Sequence, residues 1–189
     1  ILRKERFKLM KKIVISTGGT GGHVIPAQVL YDYLSYKNKV FICTDKRGIT
    51  YLNKKKYKIK QIDLPKFSRN ILLFVPFIIS FVLSILKSYF FLNNKKIEII
   101  ISTGGYMSVP ICLAARMLKL KIFLFEPNMV IGRSNLLLLN YCDKIFTYNR
   151  KIKNLPNNMM YKNFVIKPLI RKNIFLSKYS ATKKSKSFT

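Results

Sequence analysis

Short apolar runs alternate along the chain with longer stretches of helical length. The runs at 12–16, 40–43, 58–62, 98–102, 121–125 and 144–147 read as buried strands, and all but the Lys-Ile-Lys-Gln-Ile of 58–62 carry almost no polar alternation. Between most of them lie stretches long enough for helices, at 25–36, 71–92, 110–118 and 134–140. Strand and helix in regular alternation predict an α/β fold, a parallel sheet with helices on both faces. From Asn149 onward the pattern fades. Pro156 and Pro168 are scattered through it, and 177–189 runs polar and basic without periodicity, which reads as a linker.

Two of the strand ends share a design. The pentapeptide Ile-Ser-Thr-Gly-Gly occurs at 15–19 and again at 101–105, each time leaving a predicted strand. A proline follows each (Pro26, Pro110), placed for the first turn of a helix, where a missing N–H costs nothing. Turns of this kind line the carboxyl edge of an open α/β sheet, where ligands bind.

The first of these turns reads Thr17-Gly18-Gly19-Thr20-Gly21-Gly22-His23. Its glycines let backbone approach a ligand closely, and a helix starting near Val24 would point free N–H groups and a positive dipole end at an anion. It is not the dinucleotide fingerprint, whose third glycine would fall at Val24. Asp45, at the end of the second strand, does stand where a ribose-binding acid would, which keeps that alternative open. It is not a P-loop either, because no Gly-Lys-Ser/Thr follows. His23 is the single histidine of the chain, and an imidazole titrates close enough to neutrality to act as a general base. Glu126 closes the strand at 121–125 and precedes Pro127-Asn128, so His23, Gly104 to Tyr106 and Glu126 to Asn128 are expected to converge on one cleft.

Composition changes the picture in three places. The 189 residues suit one domain, and 49% hydrophobic residues are enough for a packed core. Lys and Arg total 36 against 7 acids, a formal charge of +29. Of these, 28 are Lys scattered among Asn, Ile, Phe and Tyr, a mixture that nucleotide bias in a genome can produce, so no nucleic-acid partner is expected. The remainder favours an anionic membrane leaflet or phosphorylated substrates. Cys43, Cys112 and Cys142 are widely spaced with no metal-ligand pattern, and read as buried thiols in a reducing compartment.

The most apolar stretch, 71–92, is flanked by Lys66, Arg69, Lys87, Lys95 and Lys96. It is either a helix packed on the sheet or one half buried and half dipped into an anionic membrane surface. A span is disfavoured, since the strands on both sides belong to one sheet. The apolar run after the basic N-terminus is too short for a signal peptide, so a cytoplasmic location is expected. Met10 is a natural start, with residues 1–9 read as upstream read-through.

Three motifs in order then become specific: Gly18-Gly19-Thr20-Gly21-Gly22-His23-Val24-Ile25-Pro26, Gly104-Gly105-Tyr106-Met107-Ser108-Val109-Pro110, and Glu126-Pro127-Asn128 through Gly132-Arg133-Ser134-Asn135. Together they resemble the amino-terminal half of the MurG family. The resemblance implies a Rossmann-like N-terminal domain of a GT-B glycosyltransferase. It also implies inverting transfer of N-acetylglucosamine from UDP-N-acetylglucosamine to undecaprenyl-pyrophosphate-linked muramyl-pentapeptide, on the cytoplasmic face of the inner membrane, with no cofactor and no metal. By that resemblance His23 and Glu126 are catalytic candidates. Thr20, Gly21, Gly22, Asn128 and Arg171 are candidate UDP-N-acetylglucosamine contacts, and Gly18, Gly19, Gly104, Gly105 and Tyr106 candidate acceptor or phosphate contacts. Phe125 stands where the family has His, Pro127 where it has Gln, and Ile166-Lys167 where it has Gly-Asn. The implied organisation is an acceptor-side domain at 10–165, an interdomain linker at 166–189 and a missing donor domain, which would leave the fragment inactive alone. A GT-B enzyme acting on another membrane lipid, or a non-catalytic membrane- or nucleotide-binding module, remain the alternatives.

Overall fold

The structure, a computed structural model, describes residues 10–64 and 71–169. The six expected apolar runs form β1 (Lys12–Ser16), β2 (Lys39–Thr44), β3 (Ile59–Gln61), β4 (Ile99–Ser102), β5 (Lys121–Glu126) and β6 (Lys144–Thr147). A seventh strand, β7 (Asn163–Val165), pairs in parallel with β6 and places Phe164 opposite Phe146. The sheet thus extends to residue 165, past the point at Asn149 where the apolar pattern fades. Three residues are too few to print a periodic signal, and a 3-10 turn at Asn157–Lys162 brings them into register.

All strands are parallel, in the order β3-β2-β1-β4-β5-β6-β7. The order reverses beside β1, so the crevice between β1 and β4 is the topological switch point, the place where ligands enter sheets of this kind. The loops leaving those two strands are the two glycine turns.

Alternation along each strand divides the core. Val14, Ile100, Ile122, Leu124 and Ile145 face a cluster shared with α3 (Ile71–Lys95), α4 (Ser108–Met117) and α5 (Arg133–Leu138). Ile13, Ile15, Ile101 and Phe125 face the other way, into a cluster shared with α1 (Gly21–Leu34). Burial on both faces is why the runs read as continuous apolar sequence. Cys43, Cys112 and Cys142 are free and buried, and burial pushes all three thiols up, away from reactive thiolate.

The first helix begins four residues earlier than its apolar pattern predicts. Thr20 is extended (φ −116°, ψ 164°) and α1 opens at Gly21, so the second glycine pair is helical and Pro26 lies inside the helix instead of in its first turn. The N–H that Pro26 lacks would have met the carbonyl of Gly22, which is exposed and can turn to water. Pro110, third in α4, does fall in a first turn. A short α2 (Lys46–Ile49), absent from the apolar pattern, follows β2.

Candidate functional site

At the switch point the two glycine turns touch. Gly19, Gly104 and Gly105 have φ of +82°, +95° and +88°, a region L side chains rarely adopt. A Cβ on Gly105 would fall 2.6 Å from the Gly18 carbonyl oxygen, and one on Gly104 only 2.8 Å from Nδ1 of His23. Glycine at 104 and 105 therefore makes room both for the first loop's backbone and for the imidazole.

His23 stands third in α1 and is tied to the end of β4 twice. Its Nδ1 lies 2.9 Å from the Thr103 carbonyl oxygen, and the Thr103 hydroxyl donates to the His23 carbonyl at 3.0 Å. A carbonyl can only accept, so the first bond places the proton on Nδ1 and leaves Nε2 as the basic nitrogen. The Thr20 side chain makes no capping bond and the first turn of α1 holds no acid, so the positive end of this helix is left for a ligand to compensate.

The third motif is organised around a buried carboxylate. Glu126 is 2% exposed. Its Oε1 accepts from the Asn128 amide at 3.3 Å and from Asn128 Nδ2 at 2.8 Å; its Oε2 accepts from the Gly132 amide at 2.8 Å and Asn135 Nδ2 at 3.1 Å. Four donors occupy the roughly four lone-pair sites a carboxylate has. Glu126 thus shapes the loop and holds Asn128, which is exposed at the carboxyl edge.

From Asn135 the network runs on. The Ser102 hydroxyl donates to Asn135 Oδ1 at 3.0 Å and accepts from the Gly104 amide at 3.2 Å, while the Ser108 hydroxyl donates to the Gly104 carbonyl at 2.9 Å. Through Ser102 and Asn135 the second glycine turn and the Glu126 loop are one hydrogen-bonded unit. Neither residue carries a role by sequence pattern. Their positions are 33 apart in the chain and meet only through the sheet.

Tyr106 stacks on Phe77 of α3 (centroids 6.2 Å, planes at 26°), and partial burial pushes its hydroxyl up from the ordinary phenol value. Phe125 is 1% exposed and meets Tyr148 edge to face at 5.6 Å, so this position is core and not cleft. Asp45 is occupied by the protein itself. It accepts from the amides of Gly48 (2.8 Å) and Gly19 (3.3 Å) and from Arg47. Burial raises this carboxyl, but the Gly48 amide, the Arg47 guanidinium and the Gly19 amide outweigh it and hold it below the usual carboxylate range. It is not free to bind a ribose. Arg171 lies outside the described residues.

Fold and site together define a Rossmann-like amino-terminal domain of the GT-B type. Residues 13–147 match the family described as Glycosyltransferase family 28 N-terminal domain. A protein of Pelagibacter ubique named UDP-N-acetylglucosamine--N-acetylmuramyl-(pentapeptide) pyrophosphoryl-undecaprenol N-acetylglucosamine transferase is 48% identical over 165 residues, covering 87% of this chain and 46% of that protein. One of the same name from Rickettsia prowazekii is 38% identical over 167 residues, 87% and 42% of the two chains. Among solved structures, MurG of Acinetobacter baumannii superposes with a TM-score of 0.70 at 23% identity, over 86% of this chain and 47% of the other. The UDP-N-acetylglucosamine 2-epimerase of Rickettsia bellii gives 0.60 at 16% identity, over 92% and 48%. The chain belongs to glycosyltransferase family 28, as its N-terminal domain, and spans about half the length of the curated relatives it matches.

Proposed function

We propose that this chain is the acceptor-side half of an inverting glycosyltransferase of peptidoglycan synthesis. The enzyme moves N-acetylglucosamine from its UDP donor onto undecaprenyl-pyrophosphoryl muramyl-pentapeptide. The observation that carries the reading is His23, held at the switch point by the Thr103 carbonyl with its Nε2 left as acceptor, in a chain whose relatives bear that name. In this reaction Nε2 takes the proton of the acceptor hydroxyl as its oxygen attacks the anomeric carbon from the face opposite UDP. The bond from that carbon to the β-phosphate oxygen breaks, the electron pair leaves with UDP, and the configuration inverts. The uncompensated N-terminus of α1 offers its dipole to phosphate, and the Glu126 loop presents Asn128 toward the donor. The half of the relatives that has no counterpart here would complete the donor site. Residues 1–189 alone are therefore expected to transfer no labelled N-acetylglucosamine to the lipid acceptor; transfer by the fragment would overturn this assignment of halves.

The reading extends to the cytoplasmic face of the inner membrane through α3. One stripe of this helix, Phe77, Ser84, Ser88 and Leu92, is buried against the domain. The opposite stripe, Val75, Ile79, Val82, Leu83, Leu86 and Phe90, is apolar and exposed, up to 62% at Val75. The helix is long and apolar enough to cross a membrane, but withdrawing the buried stripe would open the core, so it lies along the surface. Lys87, Lys95 and Lys96 are exposed where anionic head groups would meet them. Lys66 and Arg69 lie outside the described residues. Ile79→Asp with Leu83→Asp is expected to cut binding to phosphatidylglycerol vesicles by roughly tenfold or more while leaving the melting temperature near that of the parent. Unchanged vesicle binding would remove α3 from the interface.

A further inference from the structure

Beside the glycine turns opens a cavity of about 400 Å³, lined by Asp45, Lys46, Arg47, Asp63, Leu64, Tyr106 and Met107. Its wall has two chemistries. Leu64, Tyr106 and Met107 are apolar or aromatic, and Tyr106 leads by its stack on Phe77 to α3. Lys46 and Arg47 are cationic, and both are exposed.

The carboxylates on this wall are already engaged. Asp45 accepts from Gly19, Gly48 and Arg47, and Asp63 accepts from the Lys46 amide at 2.7 Å and from Gln61. The Arg47 guanidinium is clasped by one oxygen of Asp45 through Nε (3.1 Å) and Nη2 (2.9 Å). The same carboxylate accepts the Gly19 amide, and Arg47 Nη2 lies 3.8 Å from where a Cβ on Gly19 would stand. The clasp sets the guanidinium at the lip of the first glycine turn. Two of its five N–H donors are used in the clasp, which leaves three in a rigid planar array suited to phosphate oxygens. Lys46 makes no ion pair among the described residues and adds a second positive charge.

We propose that Arg47, oriented by Asp45 and assisted by Lys46, is the subsite for the pyrophosphate of the lipid-linked acceptor, with Leu64, Tyr106 and Met107 taking the first carbons of its prenyl chain. This rests on the function proposed above. A prenyl pyrophosphate joins the two chemistries of the wall in one molecule. The pyrophosphate of the donor fits less well, because it carries a ribose and a base in place of the prenyl carbons that Leu64, Tyr106 and Met107 would meet.

The test is isothermal titration of residues 1–189 with three probes: a water-soluble short-prenyl pyrophosphoryl muramyl-pentapeptide, inorganic pyrophosphate and UDP-N-acetylglucosamine. Arg47→Gln is expected to weaken the first two by about tenfold or more, the loss of charge-assisted hydrogen bonds. Arg47→Lys, which keeps the charge and loses the fork, should lose less, and UDP-N-acetylglucosamine binding should not change. Melting temperatures of both variants check that the fold persists. Unchanged acceptor affinity in a folded Arg47→Gln, or a loss seen with UDP-N-acetylglucosamine instead, overturns the subsite alone. A parent chain that binds no acceptor analogue overturns the proposed function itself.

Discussion

Replacing His23 by alanine is expected to lower turnover by about 100-fold to 10,000-fold, the range supplied by a positioned general base, while leaving the KM for UDP-N-acetylglucosamine nearly unchanged. The assay needs a chimera in which residues 10–169 replace the matching half of the Pelagibacter relative. The asymmetry between turnover and donor affinity follows from the geometry. His23 is attached to the end of β4 through Thr103, and its Nδ1 proton is committed to a carbonyl at 2.9 Å. The alanine variant removes the basic nitrogen and leaves the glycine backbone in place. A variant that keeps full turnover would take His23 out of the chemistry and leave it as a brace between α1 and β4.

Gly105→Ala is expected to destabilise the fold by roughly 3 kcal/mol, through a left-handed backbone and a steric clash acting together. At this size that lowers the melting temperature by about 6 to 12 °C. The added Cβ would lie 2.6 Å from the Gly18 oxygen and 2.9 Å from its nitrogen, closer than real Cβ contacts come, and the atoms it meets are backbone that cannot swing aside. Either the first glycine turn moves or the second does, and in both cases the crevice between β1 and β4 loses its shape. Gly22→Ala is the matched control. Gly22 lies in the first turn of α1, where its Cβ would meet only Thr20 Oγ1 at 3.7 Å, so its melting temperature should hold or rise slightly. Equal melting temperatures for the two variants would refute the contact between the turns.

Much of this was legible in the chain. The strands β1, β4, β5 and β6 fall within a residue of their apolar runs, because a strand buried on both faces writes its burial directly into composition. Both glycine turns, His23 and the Glu126 loop do converge on the carboxyl edge as their spacing implied. The failures have physical causes. Glycine has no apolar signature, so the start of α1 was read from Ile25 when the backbone turns helical at Gly21. Strand β7 is held by its register with β6, a tertiary fact that three residues cannot announce. The tautomer of His23 is set by a backbone carbonyl 80 positions away. Glu126 looked like an acid at a mouth, and only its four donors, one of them the Gly132 amide, show it to be the post around which the loop is wound. Asp45 looked like a ribose ligand for the same reason of position, and its commitment to Gly19, Gly48 and Arg47 appears only with the fold.

The central claim is that residues 10–169 form the acceptor side of a transferase that glycosylates a muramyl lipid. The most direct measurement is transfer of radiolabelled N-acetylglucosamine by the purified chimera, offered prenyl-pyrophosphoryl muramyl-pentapeptide and, in parallel, the same prenyl pyrophosphate bearing an unrelated sugar. The account predicts label on the muramyl acceptor, with inversion at the anomeric carbon, and little on the other. A chimera that melts cooperatively as a folded protein yet labels neither acceptor, or prefers the unrelated sugar, would contradict it.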